Sequence, residues 1–161
     1  SLPRALGRQE AGIISAADEF AGAGARLAGQ RAVLANPFPK NGLFARAMPM
    51  KYAKQLEARV GKLAGGSEAF VTAYSDVRHI RTVRGVARRL GLYDDAGNLR
   101  TDADALVVFR LRQPLEQSGI ATPVRRSYVG FVGGGRTIGG AREWVLPADT
   151  EVEILKIILL K

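Results

Sequence analysis

Cysteine is absent from the 161 residues of this chain, and histidine occurs once, at His79. The absence of cysteine excludes disulfide frameworks, thiol nucleophiles and cysteine-containing zinc sites. Any histidine acid–base mechanism must depend on His79 alone. The common phosphate-binding motifs are lacking too, because no Gly-Lys-Ser/Thr of a P-loop occurs and Gly22-Ala-Gly24 is followed by Leu27 where a dinucleotide fingerprint needs glycine. A Rossmann or Walker nucleotide site is therefore excluded.

Long apolar runs are also missing. The longest stretch, residues 154–160, is interrupted by Lys156 and is far shorter than the ~20 residues that span a bilayer, so we expect no membrane insertion and predict a buried terminal strand. The chain begins at Ser1 rather than Met, from which we expect a segment cut from a longer protein. The lack of cysteine leaves the cellular compartment open.

Positive charge and glycine are what the chain has in excess. It carries 24 Lys and Arg against 15 Asp and Glu, a formal net charge of +9, and 19 glycines. Twelve basic and five acidic residues lie between positions 78 and 142, which places +7 of the net charge there. A hydrophobic share of 47% suffices for an ordinary core. The charge predicts an anionic partner such as nucleic acid or an acidic protein.

The chain divides at Asn36-Pro-Phe-Pro-Lys-Asn-Gly42, which cannot continue a helix. We predict an N-terminal helical appendage over residues 1–36 and an α+β domain of mainly antiparallel strands with flanking helices over residues 37–161. Strands are predicted at 43–47, 69–74, 105–112, near 124–132, and at 143–146 and 152–160. Helices are predicted at 50–63 and from Ser75 or Asp76 to Leu90, where Gly91 ends the second one.

Three features could carry chemistry. The first is Arg46, within the apolar stretch Phe44-Ala-Arg-Ala-Met-Pro49, where a charge is costly unless it meets an anion. Its alternative is a strand arginine that faces water. The second is Thr72, a hydroxyl on a strand just before a helix, and its alternative is an ordinary strand threonine.

The third feature is a glycine-dense loop before a carboxylate. Residues 133–140 contain five glycines, more than a turn between strands needs, which predicts backbone packed against a ligand or required to move. Glu143, beside Trp144, follows this loop and is a candidate site carboxylate. Its alternative is a solvated glutamate on an edge strand.

Arginine, then a hydroxyl, then glutamate after a glycine loop resembles the NAD-dependent ADP-ribosyltransferase fold of the Arg–Ser/Thr–Glu class. Residues 36–161 are more closely similar to the ADP-ribosylating toxin domains at the C-termini of bacterial polymorphic toxins. The blocks that carry this resemblance are Phe44-Ala-Arg-Ala-Met-Pro49, Glu68-Ala-Phe-Val-Thr72, Gly130-Phe-Val-Gly-Gly-Gly-Arg-Thr137 and Gly139-Gly-Ala-Arg-Glu-Trp-Val145.

The resemblance implies a compact ADP-ribosyltransferase-like fold, NAD as co-substrate and no metal. It implies that Arg46 holds the pyrophosphate or the nicotinamide ribose, that Thr72 supports the strand around Glu143, and that Glu143 stabilises the oxocarbenium-like transition state. The further residues that it suggests for NAD binding are Tyr74, Tyr128, Phe131, Arg136 and Thr137, and for the three aromatic residues core packing is the alternative.

One departure concerns the acceptor. Arginine-modifying members of the class have Glu or Gln two residues before the catalytic glutamate, and this chain has Ala141 there. An arginine acceptor is therefore less secure. A Glu-x-Glu occurs at Glu151 and Glu153, but these two residues look like the polar face of an alternating strand.

A basic ridge is the predicted acceptor surface. Arg78, Arg81, Arg84 and Arg88 recur at helical spacing and would form this ridge on one helix. Further basic residues that could join it are Arg110, Arg112, Arg125 and Arg126. The ridge could bind RNA phosphates or an acidic immunity protein, and its alternative is a solvated helix face.

These observations predict an antibacterial toxin for interbacterial competition, secreted within a larger protein and acting in the cytoplasm of a target bacterium. It would transfer ADP-ribose from NAD to structured RNA or to a translation factor. Three alternatives stay open: a metal-independent ribonuclease that uses Glu143, His79 and an arginine, an NAD glycohydrolase, and an RNA-binding module without catalysis.

Overall fold

The computed structural model describes residues 36–58, 61–63, 68–123 and 131–161. The described residues form a five-stranded antiparallel sheet with the order β4-β2-β1-β3-β5. Its strands are β1 (Phe44–Met48), β2 (Ala69–Ala73), β3 (Ala105–Leu111), β4 (Glu143–Leu146) and β5 (Val152–Leu159). The helices of the same part are α1 (Met50–Ala58), α2 (Val83–Leu90), α3 (Leu115–Ser118) and a 3-10 turn (Tyr74–Asp76). The predicted α+β class is confirmed.

Strand pairing is unequal across the sheet. β3 pairs with β1 along the whole of β1, and with β5 from Ala105 to Leu111. Among the described strand residues, β1 and β2 pair only at Phe44–Ala73 and Ala45–Thr72. Beyond the second pair, the two strands have no common ladder. The sheet is therefore open between β1 and β2 at one end.

Both faces of the sheet are covered by apolar packing. On one face, here the α1 face, Leu56 of the helix packs with Phe44 and Trp144 in the larger core. On the opposite face, here the α2 face, Val86 packs with Ala45 and Val108. Period-two alternation assigns each strand residue to one of these faces. All six of the residues named here are at most 1% exposed.

Strand predictions were accurate to within one or two residues for the five strands above, because alternation and β-branched content mark them clearly. The predicted strand near 124–132 lies largely outside the described residues, and Phe131 and Val132 are not in a strand. The predicted helical appendage over 1–36 lies outside them too, except for Asn36. The division into two domains therefore stays a prediction.

The two helix predictions need correction. α1 ends at Ala58, and Leu63, which was predicted as helical, instead donates its backbone N–H to the Thr150 carbonyl at 3.1 Å. The second helix does not start at Ser75 or Asp76. It starts at Val83, because the Thr82 hydroxyl caps it by accepting a hydrogen bond from the Gly85 N–H.

Its predicted end is confirmed, since Gly91 adopts a left-handed conformation with φ of 72°. The late start has a consequence for the basic ridge. Arg78 and Arg81 precede α2, so the prediction that four arginines form one ridge on a single helix was wrong. His79, expected inside that helix, lies in an exposed turn.

None of the helices in the described ranges is long and apolar enough to cross a membrane. Across the same residues, no three His, Asp or Glu side chains cluster as metal ligands would.

Candidate functional site

The three residues singled out for chemistry lie on three neighbouring strands. Glu143 opens β4, Thr72 is on β2 next to it, and Arg46 is on β1 beside β2. They come from segments up to about a hundred residues apart in the chain. The antiparallel sheet therefore places them side by side in its β4-β2-β1 half.

Thr72 and Glu143 are direct cross-strand partners. Both belong to the α2 face, because their neighbours Val71 and Trp144 pack in the α1-face core. Thr72 is 2% exposed and Glu143 is 6% exposed. The carboxylate is thus buried, unlike a solvated glutamate on an edge strand. On its outer side β4 forms a further bridge, between Val145 and Ala121.

Hydrogen bonds hold the backbone N–H and carbonyl of Arg142 and the backbone N–H of Glu143. The Thr72 hydroxyl donates to the Arg142 carbonyl at 2.6 Å. The Arg142 backbone N–H donates to the Asp76 carboxylate at 2.9 Å. The Glu143 N–H donates to the Gly135 carbonyl at 2.8 Å. These bonds fix the backbone from which the Glu143 side chain starts.

Asp76 and Arg142 form a partly buried ion pair. Arg142 Nε and Nη2 donate to the two carboxylate oxygens, each at 2.9 Å, and the two side chains are 14% and 17% exposed. Burial alone would raise the pKa of Asp76, but the hydrogen bonds from Arg142 outweigh it and hold that pKa below its usual value. The same hydrogen bonds raise the pKa of Arg142. A geometry with two parallel donors is the strong form of this interaction.

Arg46 leaves the sheet on the other face. It lies on the same face of β1 as Phe44 and Met48, which pack in the α1-face core. Its Nη1 donates to the Phe70 carbonyl at 2.9 Å, in the part where β1 and β2 no longer pair. The structure therefore brings Thr72 and Glu143 together, and it places Arg46 at the opening between β1 and β2.

The glycine-rich loop is a hairpin that packs on the end of α2. The Thr137 N–H donates to the Ala141 carbonyl at 2.9 Å, and Arg136 forms a bridge with Arg142. A Cβ on Gly139 would collide with the backbone of Arg88 and Arg89. At Gly139, close approach to protein backbone explains the glycine without a ligand.

The two loop residues suggested for NAD binding have partners within the fold. The Thr137 hydroxyl donates to the Arg89 carbonyl and accepts from the Ala141 N–H, and Thr137 is 7% exposed. Arg136 is exposed, and its Nη1 donates to the Gly140 carbonyl at 3.0 Å. Of this pair, Arg136 is therefore the one that a ligand can reach.

The aromatic candidates lie in different surroundings. Tyr74 is 8% exposed and belongs to the α2-face core. Phe131 is half-buried, and Tyr128 lies outside the described residues. Phe38, which sequence reasoning did not select, stacks on Trp144 with ring centroids 5.5 Å apart.

The four arginines of the expected ridge are all exposed, although only Arg84 and Arg88 lie on α2. Arg110 and Arg112 are exposed as well, whereas Arg125 and Arg126 lie outside the described residues. Glu151 and Glu153 are exposed, as expected for a polar strand face.

Sequence reasoning missed the Asp76–Arg142 ion pair and the hydrogen bonds that the Arg89 side chain makes. Arg89 Nε donates to the Asp76 carbonyl and Nη1 to the Gly139 carbonyl, which ties the hairpin to the 3-10 turn. Asp76 was considered only as a helix cap. The position of Arg142 directly before Glu143 was the one available signal, and it does not identify a partner 66 residues away.

Comparison with known proteins decides the family. The family model described as Novel toxin 10 matches residues 5–155. The chain belongs to this toxin family. Membership of the Novel toxin 10 family confirms the prediction of a bacterial polymorphic toxin domain and implies action on a target cell. No curated protein and no solved structure matches the chain.

Proposed function

We propose that this Novel toxin 10 domain transfers ADP-ribose from NAD to a macromolecule of the translation machinery, either structured RNA or a translation factor, in the cytoplasm of a target bacterium. The observation that carries the proposal is the pairing of Thr72 with Glu143. The Thr72 hydroxyl holds the carbonyl directly before Glu143 at 2.6 Å. Such bracing is the role that the resemblance implies for the hydroxyl residue.

The chemistry needs a fixed carboxylate. When the bond between nicotinamide and ribose breaks, its electron pair leaves with nicotinamide, and positive charge develops at the anomeric carbon. A nucleophilic group of the acceptor then forms the new bond to this carbon and loses its proton. Glu143 is 6% exposed as a residue, so its carboxylate would stabilise the developing cation more strongly than it could in water.

The opening between β1 and β2 supports a path for the dinucleotide. Arg46 lies at this opening and donates to the Phe70 carbonyl, while Glu143 belongs to the opposite face of the sheet. A dinucleotide that contacts both residues must therefore pass where the β1–β2 ladder has ended. The planar guanidinium of Arg46 suits a phosphate or a ribose hydroxyl.

The proposed reaction involves no metal and no membrane insertion of this domain. The exposed arginines would attract the acceptor, and we expect a cognate acidic immunity protein to bind the same arginines.

The test is transfer of labelled NAD to protein and RNA in a bacterial lysate. We expect Glu143→Gln to lower the transfer rate by about a hundred-fold or more, since it removes charge stabilisation at the reacting carbon. Glu153→Gln is the matched control, because Glu153 is an exposed strand glutamate, and it should keep the full rate. A preparation that kills cells without labelling protein or RNA would refute the proposal. Release of free ADP-ribose and nicotinamide alone would instead indicate an NAD glycohydrolase.

A metal-independent ribonuclease is the second candidate. One observation favours it: His79 lies in an exposed turn beside the exposed Arg78, where a phosphate could meet both. This candidate predicts RNA cleavage in the absence of NAD and loss of cleavage in His79→Ala. The transferase proposal predicts that His79→Ala keeps its activity.

A further inference from the structure

Tyr74 brings two cations together on the α2 face. It follows β2 directly, and its side chain is 8% exposed. Lys156 Nζ lies 5.1 Å from the centroid of the Tyr74 ring. Arg81 also lies close enough to the phenol for its charge, like that of Lys156, to lower the pKa of Tyr74. An ammonium and a guanidinium thus lie beside the same tyrosine.

Backbone pairing holds all three residues in place. Lys156 on β5 is the cross-strand partner of Val108, which packs in the α2-face core, and the register shifts directly beyond this pair. The Arg81 carbonyl accepts the Lys161 N–H at 2.9 Å, and the Val83 N–H donates to the Lys161 carbonyl at 2.8 Å. The segment before α2 is therefore fastened to the chain that follows β5.

The two cations lack a carboxylate partner. In the described part of the chain, no Asp or Glu oxygen lies within salt-bridge distance of Arg81 or Lys156. Burial alone would raise the pKa of Tyr74, but the two neighbouring cations, Lys156 and Arg81, outweigh it and lower that pKa. Both cationic side chains are exposed, so an anion can reach them.

We propose that Arg81 and Lys156, on either side of the Tyr74 side chain, form a binding site for a phosphodiester of an RNA backbone. Arg, Lys and Tyr are side chains that commonly donate to phosphate oxygens. Arg78 and Arg84 flank Arg81 by three residues on either side and are exposed, so neighbouring phosphates would find further cations. Lys156 was not selected from the sequence, and Tyr74 was suggested only for NAD binding. The site does not depend on the chemistry proposed for Glu143.

The chain contains a matched control for this site. Lys51 Nζ lies 5.1 Å from the centroid of the Tyr52 ring, the same distance as in the Lys156–Tyr74 pair. Lys51 and Tyr52 are exposed on α1, which covers the opposite face of the sheet. Lys51→Gln therefore removes the same charge from the molecule as Lys156→Gln does, but away from the proposed site.

The experiment measures binding of a fluorescent RNA hairpin to the full chain by anisotropy at several salt concentrations. We expect Lys156→Gln to weaken binding roughly five- to ten-fold at ~0.1 M salt and to reduce the salt slope by about one. Tyr74→Phe should weaken binding about three-fold with no change of charge. Lys51→Gln and Tyr52→Phe should change binding less than two-fold. Glu143→Gln should bind RNA as the unmodified chain does, which separates this site from the proposed reaction.

Two results would overturn the proposal. The first is an equal loss in Lys51→Gln and Lys156→Gln, which would indicate general attraction by net charge. The second is unchanged RNA binding in Lys156→Gln. Lys156 is exposed, and a thermal melt of this variant checks that it folds. In this second case, Lys156→Gln is also tested for weaker binding of polyglutamate and of NAD. Such a result would assign the site to an acidic protein or to the dinucleotide.

Discussion

Thr72 offers the sharpest residue-scale test of the proposed transferase. Thr72 is 2% exposed and its hydroxyl donates to the Arg142 carbonyl, and valine has the same shape without the donor. We expect Thr72→Val to lower kcat for ADP-ribose transfer about ten-fold with little change in KM, because the backbone before Glu143 loses its restraint. Thr72→Ser keeps the donor and should restore most of the rate. Valine should also destabilise the fold by about 1–2 kcal/mol, measured by urea unfolding. Equal rates in the two variants would contradict the bracing role.

Asp76 makes the stability of the fold depend on pH. Its pKa in the folded state is below the unfolded value, so the ion pair with Arg142 stabilises the fold fully above about pH 4 and loses this effect as pH falls through the folded pKa. Asp76→Asn should lower the free energy of unfolding at pH 7 by roughly 3 kcal/mol, as expected when one partner of a buried pair is removed. The difference from the unmodified chain should shrink below about pH 4.

The control for Asp76 is Asp102. Asp102 pairs with Arg100 at 2.9 Å, but the side chains of Arg100 and Asp102 are 44% and 55% exposed. Asp102→Asn should therefore cost less than about 1 kcal/mol. Similar losses in the two variants, measured by urea unfolding across the pH range, would contradict the importance of the buried pair for the site.

At this scale, the sequence indicated Glu143 and Thr72 but not what holds them. The glutamate after a glycine loop and the strand threonine could both be identified from local pattern. Asp76 and Arg142 could not, because 66 residues separate them and only the folded sheet brings them together. The face of the sheet to which Arg46 belongs could not be predicted either, since alternation assigns a face only once the core is known.

At the scale of elements, the hairpin before β4 depends on one glycine. Gly139 packs against the backbone at the end of α2 without needing a positive φ, so alanine there tests close approach alone. We expect Gly139→Ala to destabilise the fold by about 2–3 kcal/mol, since the obstacle is backbone and cannot turn aside. Chemical denaturation would measure it.

Gly134 is the control for Gly139. It has a φ of +72° and nothing within 4 Å of an added Cβ, so Gly134→Ala tests conformational strain alone, with an expected cost of about 1 kcal/mol. If Gly134→Ala were the more damaging of the two, the hairpin would not be held by its packing on α2.

The helices show why element boundaries were harder to predict than strands. Ser75, Asp76 and Thr82 are all capping residues, and the sequence does not rank them. Thr82 caps α2, whereas Asp76 is drawn into its ion pair with Arg142. Tertiary contacts thus decided between local signals of equal strength. The strands were predictable because alternation persists along each of them.

At the scale of the whole molecule, one row of residues crosses the α2 face of the sheet. Its members are successive cross-strand partners: Lys156, Val108, Ala45, Thr72 and Glu143. At the usual strand spacing, its two ends lie about 19 Å apart. The proposed phosphate site is at one end and the proposed catalytic carboxylate at the other, with Val86 packed over the apolar middle. An RNA that reaches both ends must therefore extend over several nucleotides.

The position at which the folded domain starts can be tested by shortening the chain. Asn36 Nδ2 donates to the Gly135 carbonyl at 2.6 Å, Arg142 Nη1 donates to the Pro37 carbonyl at 3.0 Å, and Phe38 stacks on Trp144. These contacts join the chain before β1 to the segment that carries Glu143.

Two shortened chains test this arrangement. We expect residues 36–161 to unfold cooperatively, with a free energy of unfolding close to that of the full chain. Residues 40–161 should lose about 3 kcal/mol, because they lack Phe38 and leave one face of Trp144 uncovered. Urea unfolding followed by Trp144 fluorescence would measure both, since the chain has one tryptophan. The family match includes residues 5–35. If residues 36–161 failed to unfold cooperatively, residues 5–35 would therefore belong to the same folded domain, and the boundary predicted at 36 would be wrong.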